Sequence, residues 1–126
     1  TAGVHIKSGA GRGGFVRNIS FSNVTMENCF FGFMMDMDST KAPRNDSTHK
    51  YNMSKLPNIS SIWARDAVGR HSNVVAKLVG LAPEPMITEV HFEAVHFNPS
   101  ATYECGNVSG TWRSVTPTPC AALRPV

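Results

Sequence analysis

No stretch of this 126-residue chain approaches the roughly 18 consecutive apolar residues that a membrane-spanning helix requires. The most apolar segment, residues 29–35, is broken at once by Asp36 and Asp38, so no membrane span is expected. No segment keeps a helical period over about ten residues, which argues against a helical domain. Charge is sparse and scattered: twelve Lys and Arg against nine Asp and Glu leave +3, without any long run of like charges. The basic residues do not alternate with exposed aromatics, and no zinc-finger or RNP-like motif accompanies them, so nucleic acid is not the expected partner. An acidic polysaccharide suits the same mild positive excess. An initiator Met and a charged-then-apolar leader are also lacking, and the chain opens inside a strand-like stretch, so the natural protein is expected to continue upstream. With 41% hydrophobic and 17% charged residues, the composition is that of one globular domain at most.

What the chain does contain is an irregular apolar rhythm that repeats. Val16, Ile19, Phe21 and Val24 are spaced by three, two and three residues, and Ile87, Val90, Phe92 and Val95 repeat that spacing. Ile59, Ile62, Ala64 and Ala67 give a third copy with smaller side chains. Such a spacing needs the same bend between short extended pieces each time, and self-similarity at intervals of 43 and then 28 residues marks stacked repeats. The expectation is an all-β chain coiled as a parallel β-helix with variable loops.

Along the chain, Val4 and Ile6 alternate with His5 and Lys7, placing the apolar pair inward and the basic pair on an outer strand face. A Gly-rich turn from Ser8 to Gly14 follows, then the first repeat, a corner at Asn28 and Cys29, and a strand in which Phe31, Phe33 and Met35 alternate. Residues from about 36 to 55 read as a polar insertion. Leu56 to Val68 restores the rhythm and Val74, Ala76 and Leu78 continue it; the Pro-rich segment 82–85 makes a corner, and Ile87 to Phe97 is the last clear coil. Residues 1–98 are thus read as coils and 99–126 as an irregular cap covering the final sheet edge.

Six Asn-x-Ser/Thr sequons, at Asn18, Asn23, Asn45, Asn52, Asn58 and Asn107, are candidate N-glycosylation positions and point to a secreted protein, extracellular or in a cell wall; Asn98 is disqualified by Pro99. Cys105 and Cys120 enclose a short loop in the Pro- and Gly-containing tail, where a disulfide would constrain most. Cys29 is left over and reads as a buried thiol acting as a small apolar residue.

His5 and Lys7 project from one strand face about two residue rises apart, near enough to grip one carboxylate or two neighbouring ones. Competing sites are weaker. Asp36 and Asp38 read as a polar loop entrance rather than a proton-sharing or cation-binding pair. His91 and Glu93 share an outward face but lack a third ligand, so no metal and no cofactor is expected. The GAGRGG stretch precedes a strand rather than a helix, unlike a nucleotide loop. Trp63 and Trp112 are expected to pack on a coil or cap before they stack on sugars.

Residues 3–28, GVHIKSGAGRGGFVRNISFSNVTMEN, resemble the Arg-Ile-Lys segment of the polygalacturonase family of glycoside hydrolases, in its plant-like branch. Gly3, Ile6, Lys7, Ser8, Gly11, Arg12, Gly13, Gly14, Val16, Ile19, Phe21, Val24 and Met26 match that segment. The ending is similar too: a late Cys, Gly106 to Gly110, Ser114 to Pro117, Pro119, Cys120 and Leu123. The resemblance implies a right-handed parallel β-helix that hydrolyses α-1,4-galacturonosyl links of pectin by inversion, with two carboxyl groups separated widely enough for a water. In the family these groups sit in Asn-Thr-Asp and Asp-Asp motifs near a Gly-His-Gly; none occurs here, so this chain offers no catalytic residue and reads as a C-terminal fragment, inactive alone and completed by N-terminal coils of the same protein. Lys7 carries over as a ligand of a substrate carboxylate. His5 replaces the family's Arg, which removes a fixed bidentate fork and leaves a charge that varies with pH. The alternative is a non-catalytic β-helical module that holds acidic wall polysaccharide without cutting it.

Overall fold

A computed structural model describes residues 1–9, 11, 13–37, 56–81 and 87–126. The described residues form β1 (Ala2–Lys7), β2 (Phe15–Glu27), β3 (Phe31–Asp36), β4 (Asn58–Arg70), β5 (Val74–Val79), β6 (Ile87–His96), β7 (Thr102–Gly106), β8 (Val108–Thr116) and β9 (Leu123–Pro125), with no helix among them. Short strands assemble one sheet in the order β1-β3-β5-β7, and a second sheet follows the order β2-β4-β6-β8-β9, built of long strands up to the short β9. Every pairing is parallel, and successive strands from β1 to β8 alternate between the sheets, as a parallel β-helix requires.

The apolar rhythm becomes register. Val16 pairs with Ile59 and Ile59 with Ile87; the same holds for Ile19, Ile62 and Val90, for Phe21, Ala64 and Phe92, and for Val24, Ala67 and Val95. Each three-residue interval holds one residue in the left-handed region: Asn18, Ser61 and Glu89 at φ 59°, 55° and 53°, and Asn23, Asp66 and Ala94 at φ 54°, 53° and 53°. A left-handed residue turns the strand without leaving the ladder, so the apolar side chains three positions apart that bracket each bend both face inward. Asn is the non-glycine residue best suited to that conformation, which gives Asn18 and Asn23 a structural reason independent of any glycan.

Burial is graded along the stack. Ile59, Ile62, Ala64, Ile87, Val90 and Val95 are fully buried, whereas Val4, Ile6, Val16, Ile19, Phe21 and Val24 are only half-buried. The reason is that β1 and β2 are edge strands with a neighbour on one side only. Between the sheets Phe33 packs on Phe92 and Phe97, with ring centroids 5.3 and 6.3 Å apart.

Two boundaries and the burial of one side chain differ from the sequence reading. Asp36 and Met37 belong to the coil, Asp36 ending β3 and Met37 being 1% exposed, while residues 38–55 and the corner at 82–85 lie outside the described residues. Phe31 is half-buried rather than a core side chain like Phe33 and Met35. Residues 99–126 are more than an irregular cap, because β7 extends the short-strand sheet and β8 and β9 extend the long-strand sheet. The fourth coil escapes notice in sequence because Gly110 and Trp112 stand opposite Val90 and Phe92 after a register shift, which breaks the spacing. Gly110 is required there: a Cβ would collide with the Val90 carbonyl.

The tail is fastened twice. Cys105 and Cys120 form a disulfide across 15 residues, with Cα atoms 6.6 Å apart. The half-buried Tyr103 donates its hydroxyl to the Pro117 carbonyl at 2.9 Å, and burial pushes its phenol well above the ordinary range. Its folded state therefore holds the proton after the unfolded chain has released it, so stability should fall as pH rises above about 10. Tyr103→Phe should flatten that alkaline decline in urea midpoints measured across pH; an unchanged slope would remove Tyr103 as its source.

Candidate functional site

The outer face of the short-strand sheet is built by alternation. With Val4 and Ile6 turned inward, His5 and Lys7 stand exposed on β1. Register then defines two rows across this face: His5 with Met34, Lys77 and Glu104, and Lys7 with Asp36, Val79 and Gly106. Lys77 Nζ lies 3.1 Å from Asp36 Oδ2, a diagonal ion pair whose side chains are 27% and 12% exposed. The Lys77 ammonium also lies 5.9 Å from the Phe31 ring centroid.

His5 and Lys7 make no ion pair among the described residues. Three basic groups therefore share a face with Asp36, which stands against Lys77, and with the exposed Glu104 two strands further from Lys7 than Asp36 is. Such a face can donate hydrogen bonds and offer positive charge to a carboxylate arriving beside Lys7. Asp36 is consequently more than a loop entrance, while Asp38 lies outside the described residues. Lys77 was not singled out from sequence, although the signal exists: Ala76-Lys77-Leu78 has the same in-out-in pattern as Val4-His5-Ile6.

The other candidates separate. His91 and Glu93 do share the outer face of the opposite, long-strand sheet, where His91 stacks on Trp63 and bonds Thr111, while Glu93 pairs with Arg65. Among the described residues no three His, Cys, Asp or Glu side chains gather as a metal site. Trp112 packs half-buried against the core, whereas Trp63 stands on the outer face. Cys29 is a half-buried free thiol that donates to the Glu27 carbonyl at 3.7 Å. Of the sequons, Asn18, Asn23 and Asn107 are exposed and Asn58 is half-buried; Asn45 and Asn52 lie outside the described residues. Asn107 donates its side-chain amide to the Gly80 carbonyl at 3.4 Å. Arg12, in the Gly-rich turn, also lies outside the described residues.

In an alignment of 126 residues the chain is 30% identical to a Vitis vinifera protein described as "Probable polygalacturonase", covering 97% of this chain and 25% of that protein. The chain thus spans about a quarter of the length of the curated relative it matches. No protein-family profile matches, and neither does any solved structure. The resemblance read from residues 3–28 and from the Cys- and Pro-containing tail holds along nearly the whole chain, which is polygalacturonase-like in sequence.

Proposed function

We propose that this chain is the C-terminal part of a secreted, pectin-degrading glycoside hydrolase, wound as a right-handed parallel β-helix. Its short-strand sheet grips a galacturonate carboxylate next to the scissile α-1,4 link. The observation that carries this reading is the placement of His5 and Lys7, exposed and without an ion pair among the described residues, on one face beside the Asp36–Lys77 pair. The sequence relationship to a polygalacturonase supports the substrate class.

In this reading Lys7 supplies a charge-assisted hydrogen bond and His5 a second donor, while Asp36 keeps Lys77 turned along the face. Inversion needs an acid and a base with a water between them, and both come from coils outside these 126 residues. The half-exposed inner sides of β1 and β2 are where those preceding coils stack. The sequons and the Cys105–Cys120 bridge support an extracellular setting.

Lys7→Ala in the intact enzyme should weaken binding of acidic oligosaccharide by about 1.5–3 kcal/mol, roughly 10- to 150-fold in KM. Unchanged kinetics would take Lys7 out of the site. Tight binding by the complete protein with no increase in reducing ends would favour the non-catalytic wall-binding module instead.

A further inference from the structure

Under the proposed function the acid and base belong to coils stacked beyond β1, so the polymer crosses from those coils onto the His5–Lys7 edge. A polymer held that way runs across the strands rather than along one of them, and its further units pass over β3, β5 and β7 in turn. With parallel strands about 4.8 Å apart, β7 lies roughly 14 Å from β1. The outer face changes character along that path.

Positive charge available to a carboxylate is confined to the β1 end. On the next two strands the outward side chains Met34 and Val79 are apolar and half-buried. Lys77 stands there too, but its Nζ lies 3.1 Å from Asp36 Oδ2 and 5.9 Å from the Phe31 ring centroid. Both groups belong to β3, so the ammonium leans away from β7 and its charge is met by a carboxylate. Its register neighbour on β7 is Glu104, exposed and without an ion pair among the described residues. The backbone holds Glu104 in place from both sides: Tyr103 is tied to the Pro117 carbonyl at 2.9 Å and Cys105 is bridged to Cys120. Gly106 ends the neighbouring row without a side chain, which leaves the Glu104 carboxylate as the charged group that a passing sugar meets on β7.

We propose that Glu104 sets the protein's preference for partly methyl-esterified pectin, by disfavouring a free uronate over β7 while His5 and Lys7 take one over β1. The inference rests on the proposed function. A uronate carboxylate brought beside Glu104 meets a like charge with no described cation to offset it, and both groups lose hydration. A methyl ester removes that charge, and ester methyls on the units passing over β3 and β5 gain apolar contact with Met34 and Val79.

The test compares the complete protein with its Glu104→Gln and Glu104→Lys variants on polygalacturonate and on partly methyl-esterified pectin, a polymer that keeps free carboxylates for Lys7. Glu104→Gln should raise kcat/KM on polygalacturonate relative to the partly esterified polymer by roughly fivefold, the effect of removing one like charge about 4 Å away in water. Glu104→Lys should raise that ratio further, and both shifts should shrink as salt is added. A parent ratio in both variants would overturn the inference, because Glu104 makes no ion pair among the described residues whose loss could mask the change. Lys7→Ala, by contrast, should lower kcat/KM on both polymers. If it does so while the Glu104 variants keep the parent ratio, the proposed function stands without this inference. If Lys7→Ala alters neither polymer's kinetics, the site itself is misplaced and both fall.

Discussion

Gly69→Ala is expected to destabilise the protein while Phe97 is present and to stabilise it once Phe97 has been replaced. The Phe97 ring, 6% exposed, lies over two backbones at once, and a Cβ at Gly69 or at Gly32 would fall within contact distance of its carbons. Gly69 does not sit at positive φ, so its lack of a side chain answers to this close approach rather than to backbone conformation. Adding a methyl against a well-packed ring costs about 1–3 kcal/mol. Phe97→Ala alone should cost about 3–5 kcal/mol. In that background the methyl added by Gly69→Ala enters vacated space and restricts the unfolded chain, a gain of about 0.4–1 kcal/mol. Urea denaturation of the four proteins of this cycle measures the coupling. If Gly69→Ala had the same sign in both backgrounds, the ring would not lie where the core places it.

The second large effect is expected at the tail. Cys120→Ser should lower stability by about 3 kcal/mol, the chain-entropy value for a loop of about 15 residues. The loss should concentrate in β9, whose Leu123 is 2% exposed and pairs with Gly110, and whose turn is closed by the Leu123 amide donating to the Cys120 carbonyl at 3.0 Å. Dithiothreitol should reproduce the effect in the parent protein and add nothing in Cys120→Ser. Equal stability with and without reductant would show that the hydrogen bonds of β8 and β9 hold the tail unaided.

Much of this was legible because a coiled sheet writes its geometry into spacing. The three-two-three rhythm located twelve inward residues, and the register joins them in four columns of three. The cause of the rhythm was not legible as such: Ser61, Glu89 and Ala94 give no sign in composition that they occupy left-handed bends, and only alignment with Asn18 and Asn23 exposes them. The short-strand sheet is harder to read because its strands are six residues or fewer, too short to show more than local alternation. Lys77 accordingly went unnoticed beside Lys7. Asn98, set aside because Pro99 spoils its sequon, instead accepts from the Ser72 amide at 3.0 Å and donates to the Ser72 carbonyl at 2.9 Å, tying one coil to the next across 26 residues.

Alone, the sequence determined that this chain is extended throughout its repeats, which residues face inward, and that His5 and Lys7 share an outer face, because alternation and bend spacing are local properties of the backbone. Tertiary structure decided which strands are neighbours. That placed Asp36 and Lys77 beside Lys7, set Trp63 against His91 and Arg65, and fitted Phe97 over Gly32 and Gly69. Those contacts join residues many positions apart, and their register depends on stacking the coils rather than on any one segment.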